Sequence, residues 1–161
     1  MWDRLMAALD ELTKHYEELS ALEKKKRTAL ATVNLKALEL IVKAEQQQTE
    51  AVSRAEEKRR EVMMRISVSS ADMRPDMTLM ETVAFCPDKS IRTKLQSLGK
   101  RLGELSKLVE EQQQNNSVLV NGALQAVRYR LNQLGATEVE PTYGRGGSEV
   151  VSRGRGLEIK A

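Results

Sequence analysis

Neither glycine nor proline occurs between Met1 and Ser70. Apart from a turn signal at Asn34, nothing in that half of the chain stops helix propagation. Its apolar residues recur at helical spacing. Trp2, Leu5, Leu9, Leu12, Tyr16 and Leu19 are spaced 3, 4, 3, 4, 3, the a/d stripe of a heptad helix that needs a partner. Lys24-Lys25-Lys26-Arg27 interrupts the stripe, and Leu30 and Val33 resume it. Asn34 then stands where a turn or N-cap suits the chain. The spacing predicts a first helix over 2–33 and a second over 35–67, opened by Leu35, Leu38 and Val42 and closed by Met63 and Ile66. Between them the seam reads Glu45, Thr49, Val52, Glu56 and Arg59. So polar a midsection is expected to be a solvated stretch of long helix.

The clearest breaker is Ser69-Ser70-Ala71-Asp72-Met73-Arg74-Pro75, because a proline disfavours helical geometry in the residue before it. Asp76 is expected to cap a short helix over 77–84. Phe85-Cys86-Pro87-Asp88 breaks the chain again, with Asp88 as the next N-cap. Phe85, Met77, Leu79 and Met80 are expected to cover one end of a bundle.

A third long helix is predicted over 89–134. Ile91, Leu95, Leu98, Leu102, Leu105 and Val109 form its first stripe, within which Gly99 and Gly103 weaken the helix or admit close packing. The seam then passes through Gln112 and Asn116 to Val120, Leu124, Val127, Leu131 and Leu134. Its 3, 4, 4 spacing is a four-residue stutter, which locally unwinds a coiled coil. Gly135 follows the last seam residue, where a C-terminal glycine belongs.

Residues 136–161 hold five of the nine glycines, one proline, and four basic against four acidic residues. They lack a periodic apolar set and are expected to be disordered in isolation. The division is thus a helical domain, 1–135, and a Gly-rich tail, 136–161. The expected fold class is all-α: an elongated antiparallel helical bundle or coiled coil of three long helices, with a short connecting helix and a disordered C-terminal tail.

Composition agrees. Aromatics make up 3% of the chain, too few for the ring-rich core of a compact globule, while Leu, Ala, Glu, Lys, Arg and Gln dominate as in long helices. The net charge of +3 comes from 26 basic and 23 acidic residues, interleaved almost everywhere. The excess over 88–134 is eight basic against four acidic, thin beside the clustered patches of nucleic-acid binders, so no nucleic-acid partner is expected. Cys86 is the one cysteine and His15 the one histidine, which leaves no internal disulfide and no metal-site spacing. No apolar run reaches the ~18–20 residues of a membrane span, and the amphipathic start is unlike a signal peptide. A cytoplasmic protein without stable membrane insertion is expected. No phosphate-binding loop follows a strand, and no nucleophile has an oriented base. The pattern predicts neither an enzyme nor a cofactor.

A helix that needs a partner, followed by a polar tail with one isolated aromatic in Pro141-Thr142-Tyr143-Gly144, is the layout of a protein that grips other proteins. The order of parts is more specific still. Ala29-Leu30-Ala31-Thr32-Val33-Asn34-Leu35-Lys36-Ala37-Leu38 starts the second helix, which contains Glu57-Lys58-Arg59-Arg60. The third carries Asn115-Asn116-Ser117-Val118-Leu119-Val120-Asn121-Gly122-Ala123-Leu124, and Arg153-Gly154 lies near the end. Together these resemble the FlgN family of flagellar type III export chaperones, over essentially the whole chain. The resemblance implies a cytoplasmic, all-helical chaperone that binds the C-terminal segment of hook-associated (hook–filament junction) proteins. Carried over by position, Asn116, Val120, Leu124, Val127 and Leu131 would receive cargo. Tyr143, with Gly144, would dock to the cytoplasmic domain of the export gate.

Two other classes fit part of the pattern. A structural coiled-coil scaffold or export-ATPase stalk explains the helices but gives no reason for Tyr143 or the register shift. A basic helical nucleic-acid adaptor would show steep salt dependence of retention.

Overall fold

The computed structural model describes residues 1–69, 72–74 and 76–137. They form four helices and no strand: α1 (Trp2–Ala31), α2 (Leu35–Val68), α3 (Leu79–Ala84) and α4 (Lys89–Thr137). The chain is all-α, with α1, α2 and α4 packed together and α3 as the short connecting helix.

The turn between α1 and α2 comes earlier than the apolar stripe suggested. Val33 is no longer helical; its φ is 52° and it is exposed. The Asn34 N–H donates to the Ala29 carbonyl at 2.9 Å, and the Val33 N–H to that of Leu30 at 3.2 Å. This is the hydrogen-bond pattern of a Schellman stop, a place that normally takes glycine. A β-branched residue there is strained. Asn34 acts as the expected N-cap, its side chain accepting from the Ala37 N–H at 3.0 Å.

The turn makes α1 and α2 antiparallel, as their cross-links show. Lys26 pairs with Glu45 at 2.8 Å and Lys58 with Glu11 at 2.9 Å. His15 Nδ1 lies 2.9 Å from Gln48 Oε1, and Gln48 also donates to Glu18. The polar midsection of α2 is therefore not a solvated stretch throughout. Glu45, Glu56 and Arg59 are half-buried, because ion pairs allow a charged seam to stay inside. Arg59, bonded to Glu56, holds that carboxyl below its ordinary pKa.

The short helix also starts differently. Thr78 is the cap, not Asp76, and α3 begins at Leu79. Thr78 and Glu81 form a reciprocal capping box, satisfying two orphan donors at once where a lone Asp76 would satisfy one. Asp88 caps α4 as expected, its Oδ1 accepting from Ser90 N–H at 2.7 Å and Ile91 N–H at 3.0 Å.

The apolar core gathers where α1 begins, α2 ends and α4 begins. Leu5, Leu9, Ile66, Val83, Cys86 and Leu95 are buried there, with Trp2, Met63, Leu79 and Ile91 packed against them. Val83 and Cys86 are the buried residues at this end, whereas Phe85 and Met80 are 41% and 48% exposed. Gly99 admits Leu79, since an added Cβ would meet its Cδ2 at 3.2 Å. Arg101 binds Glu17 and Asn116 binds Glu23, so α4 runs parallel to α1 and antiparallel to α2.

Residues 1–117 form one unit and Val118 onward a second, the division falling inside α4. That helix passes through Gly135 to Thr137, where the sequence suggested a stop at Leu134. Glycine makes a helix costlier without forbidding it; only proline removes the N–H and clashes. Of the expected tail, Ala136 and Thr137 are helical, and the remainder lies outside the described residues.

Candidate functional site on α4

The seam of α4 changes character at the stutter. Leu95 and Val109 are buried, Gln112 is half-buried, and Asn116 is 2% exposed. The register shift thus carries two amides, rather than apolar side chains, into the interior. Asn116 Nδ2 donates to the Glu23 carbonyl at 2.9 Å and to Glu23 Oε2 at 2.8 Å. Glu23 is itself 1% exposed.

Glu23 and Lys26 continue the first stripe: 19, 23, 26 and 30 keep the 4, 3, 4 spacing. Glu45 lies on the seam of α2. All three helices therefore place polar seam residues in one layer, in which Glu23 and Asn116 are buried and Lys26 and Glu45 partly so. Such layers fix helix register at some cost in stability. Burial raises the Glu45 carboxyl above its ordinary pKa, against the opposing pull of Lys26 and with the help of nearby Glu23. In sequence alone Lys24–Arg27 reads as an interruption of the first stripe, which hides Glu23 and Lys26, whereas Glu45 is legible on the seam of the second helix. Their a/d phase was the available signal.

Past the layer the seam turns apolar again without being covered. Val120 is half-buried, while Leu124, Val127 and Leu131 are 50%, 56% and 61% exposed. At spacings of 4, 3 and 4 they share one face of a helix. Leu119, 43% exposed, widens it. Isolated exposed leucines are ordinary; here several share one helical face. Of the residues expected to contact cargo, Val120, Leu124, Val127 and Leu131 thus share the stripe. Asn116 instead turns inward to Glu23. Tyr143 and Gly144 lie outside the described residues.

Among the described residues, no group of three His, Cys, Asp or Glu side chains is placed to hold a metal, and no helix is long and apolar enough to cross a membrane. No curated protein and no solved structure matches the chain. A family model does. The chain matches the model described as FlgN protein over residues 1–150, and it belongs to the FlgN family.

Proposed function

We propose that this protein is a cytoplasmic chaperone that binds hook-associated proteins, keeps them from assembling early, and delivers them to the flagellar export gate. The family's general role, flagellar export chaperone, comes with membership and is not that of an enzyme. The finer reading is supported above all by the exposed stripe Val120, Leu124, Val127 and Leu131.

An apolar helix face with this spacing is shaped to take an amphipathic helix, whose own anchors recur at i, i+3 and i+4. A hook-associated protein awaiting export has to hide such a segment, since an exposed amphipathic end invites polymerisation. Cargo would cover the stripe and lose its own sticky surface in the same step. Asn116 serves this reading indirectly, by fixing the register of α4 through Glu23 rather than by touching cargo. Tyr143 and Gly144 are proposed as the gate-docking element. A lone ring in a polar tail can fill a pocket on a second partner and add one hydroxyl hydrogen bond. Two separate contacts would raise the cargo's effective concentration at the gate.

The test is retention of the C-terminal segments of candidate hook-associated proteins on the immobilised full chain. The reading expects one or more to be held, and held equally by Tyr143→Ala, which should instead lose gate binding and cargo secretion. Retention of none of them, with the chain fully helical, sinks the cargo reading. A lowered melting temperature with normal gate binding in Tyr143→Ala sinks the docking reading.

A further inference from the structure

The layer of Glu23, Lys26, Glu45 and Asn116, with Gln112 one turn earlier on α4, has more acceptors than donors. Asn116 Nδ2 serves Glu23, and Lys26 serves Glu45 Oε2. Glu45 Oε1, Gln112 Oε1 and Asn116 Oδ1 are buried with no hydrogen-bond partner. A buried acceptor left without its hydrogen bond is costly in a protein interior. The charges are unequal too. The charged groups that face Glu45 are Glu23 and Lys26 of α1, and Glu23 in turn accepts from the neutral Asn116 amide of α4. Two carboxylates against one ammonium leave an uncompensated negative charge where solvent screens it only in part, Lys26 and Glu45 being 23% and 13% exposed.

One proton corrects both imbalances. On Glu45 it removes the surplus charge and turns an acceptor into a donor. We propose that a single proton on Glu45 sets how firmly α4 is seated on α1 and α2 around Asn116, so that this seat is tightest in acid and loosens as the pH rises. The layer is then a proton-sensitive latch at the end of the Met1–Ser117 unit. As regulation of cargo binding it rests on the reading in the preceding section; as a property of the seat it does not.

The sign follows from linkage. Folding raises the Glu45 carboxyl above its ordinary value of 4.5, so the proton binds the folded state more tightly. The stabilisation is present in full below 4.5 and is lost as the pH rises through the raised value. Across that window the opening constant of the seat should grow by about tenfold for every pH unit between the two values.

Hydrogen exchange on the free full-length chain measures this. Rates for the peptide spanning residues 109–117 are followed from acid to mildly basic pH and corrected for intrinsic exchange. In the native protein, opening should become more frequent as the pH rises. Glu45→Gln keeps a donor and carries no charge, so its opening should be independent of pH. Lys26→Met removes the facing cation and should move the rise to higher pH. An equal pH slope in native protein and Glu45→Gln overturns the proposal. Should Glu45→Gln fail to fold, carbon-13 titration of the Glu45 carboxyl in the native protein decides. A midpoint above 4.5 that coincides with the change in exchange supports the latch; a midpoint at or below 4.5 overturns it. Normal cargo binding without pH-dependent opening removes only the latch. Opening without any cargo binding removes only the chaperone reading.

Discussion

Leu95 and Leu131 lie on one helix, each in a heptad stripe of the same kind, yet Leu95 is fully buried and Leu131 is 61% exposed. Spacing therefore names the face of a helix that wants cover without naming what covers it. α4 has 49 residues against 30 in α1 and 34 in α2; its Leu95 belongs to the unit that ends at Ser117 and its Leu131 to the one that begins at Val118. Between the two stretches the seam of α4 carries Gln112 and Asn116, polar rather than apolar.

The comparison breaks most easily at its ends. Leu95→Ala should destabilise the protein by about 2–5 kcal/mol, the usual cost of a cavity in a packed core. Leu131→Ala should stay within about 0.5 kcal/mol, as an exposed substitution does. Urea unfolding of the two variants checks both values, and equal losses would erase the distinction between the covered and uncovered seams. The boundary is next. Asn116→Ala strands the buried Glu23 carboxylate and should cost about 1–3 kcal/mol, whereas Asn115→Ala, one residue away on an exposed position, should be close to neutral.

How far the sequence reveals this architecture depends on the kind of signal. The three long helices follow from apolar periodicity, and Asn34 and Asp88 from capping chemistry. The start of α3 is misleading in sequence because Asp76 competes as a cap with Thr78 and Glu81, whose spacing is the better one. The end of α1 is misleading because Val33 continues the apolar phase while adopting a backbone geometry that valine usually avoids. The stripe from Val120 to Leu131 was readable; the inward turn of Asn116 was not, because it depends on Glu23, 93 residues away in the chain. A polar residue in seam phase is ambiguous until its partner on another helix is known.

Two smaller effects sharpen the account of where the helices begin and end. Val33→Gly should stabilise the protein by up to about 1 kcal/mol, since glycine enters the left-handed region without the ~1–2 kcal/mol penalty of a side chain and loses part of that gain to chain entropy. A lower melting temperature would mean that the valine side chain contributes packing not apparent from its exposure. At α3, hydrogen bonds from the Thr78 backbone N–H and hydroxyl hold the Glu81 carboxyl below its ordinary pKa. That contribution is present above the ordinary value and is lost as the pH falls through the lowered one. Melting curves taken from roughly pH 5 to 3 should show a small acid-limb loss that Glu81→Gln diminishes. An identical acid limb in both proteins would assign the loss to other carboxylates, such as Glu56.

The central claim is that the uncovered seam of α4 receives cargo, and titration calorimetry on the double variant Leu124→Asp/Leu131→Asp tests it most directly. The titrant is the C-terminal segment that the native chain retains. Two carboxylates on the stripe would have to be desolvated against an apolar helix, which is costly. The account predicts that binding heat disappears while the melting temperature and helix content stay at native values, because Leu95 and Val109 are untouched. Unchanged cargo affinity in a folded double variant would contradict it.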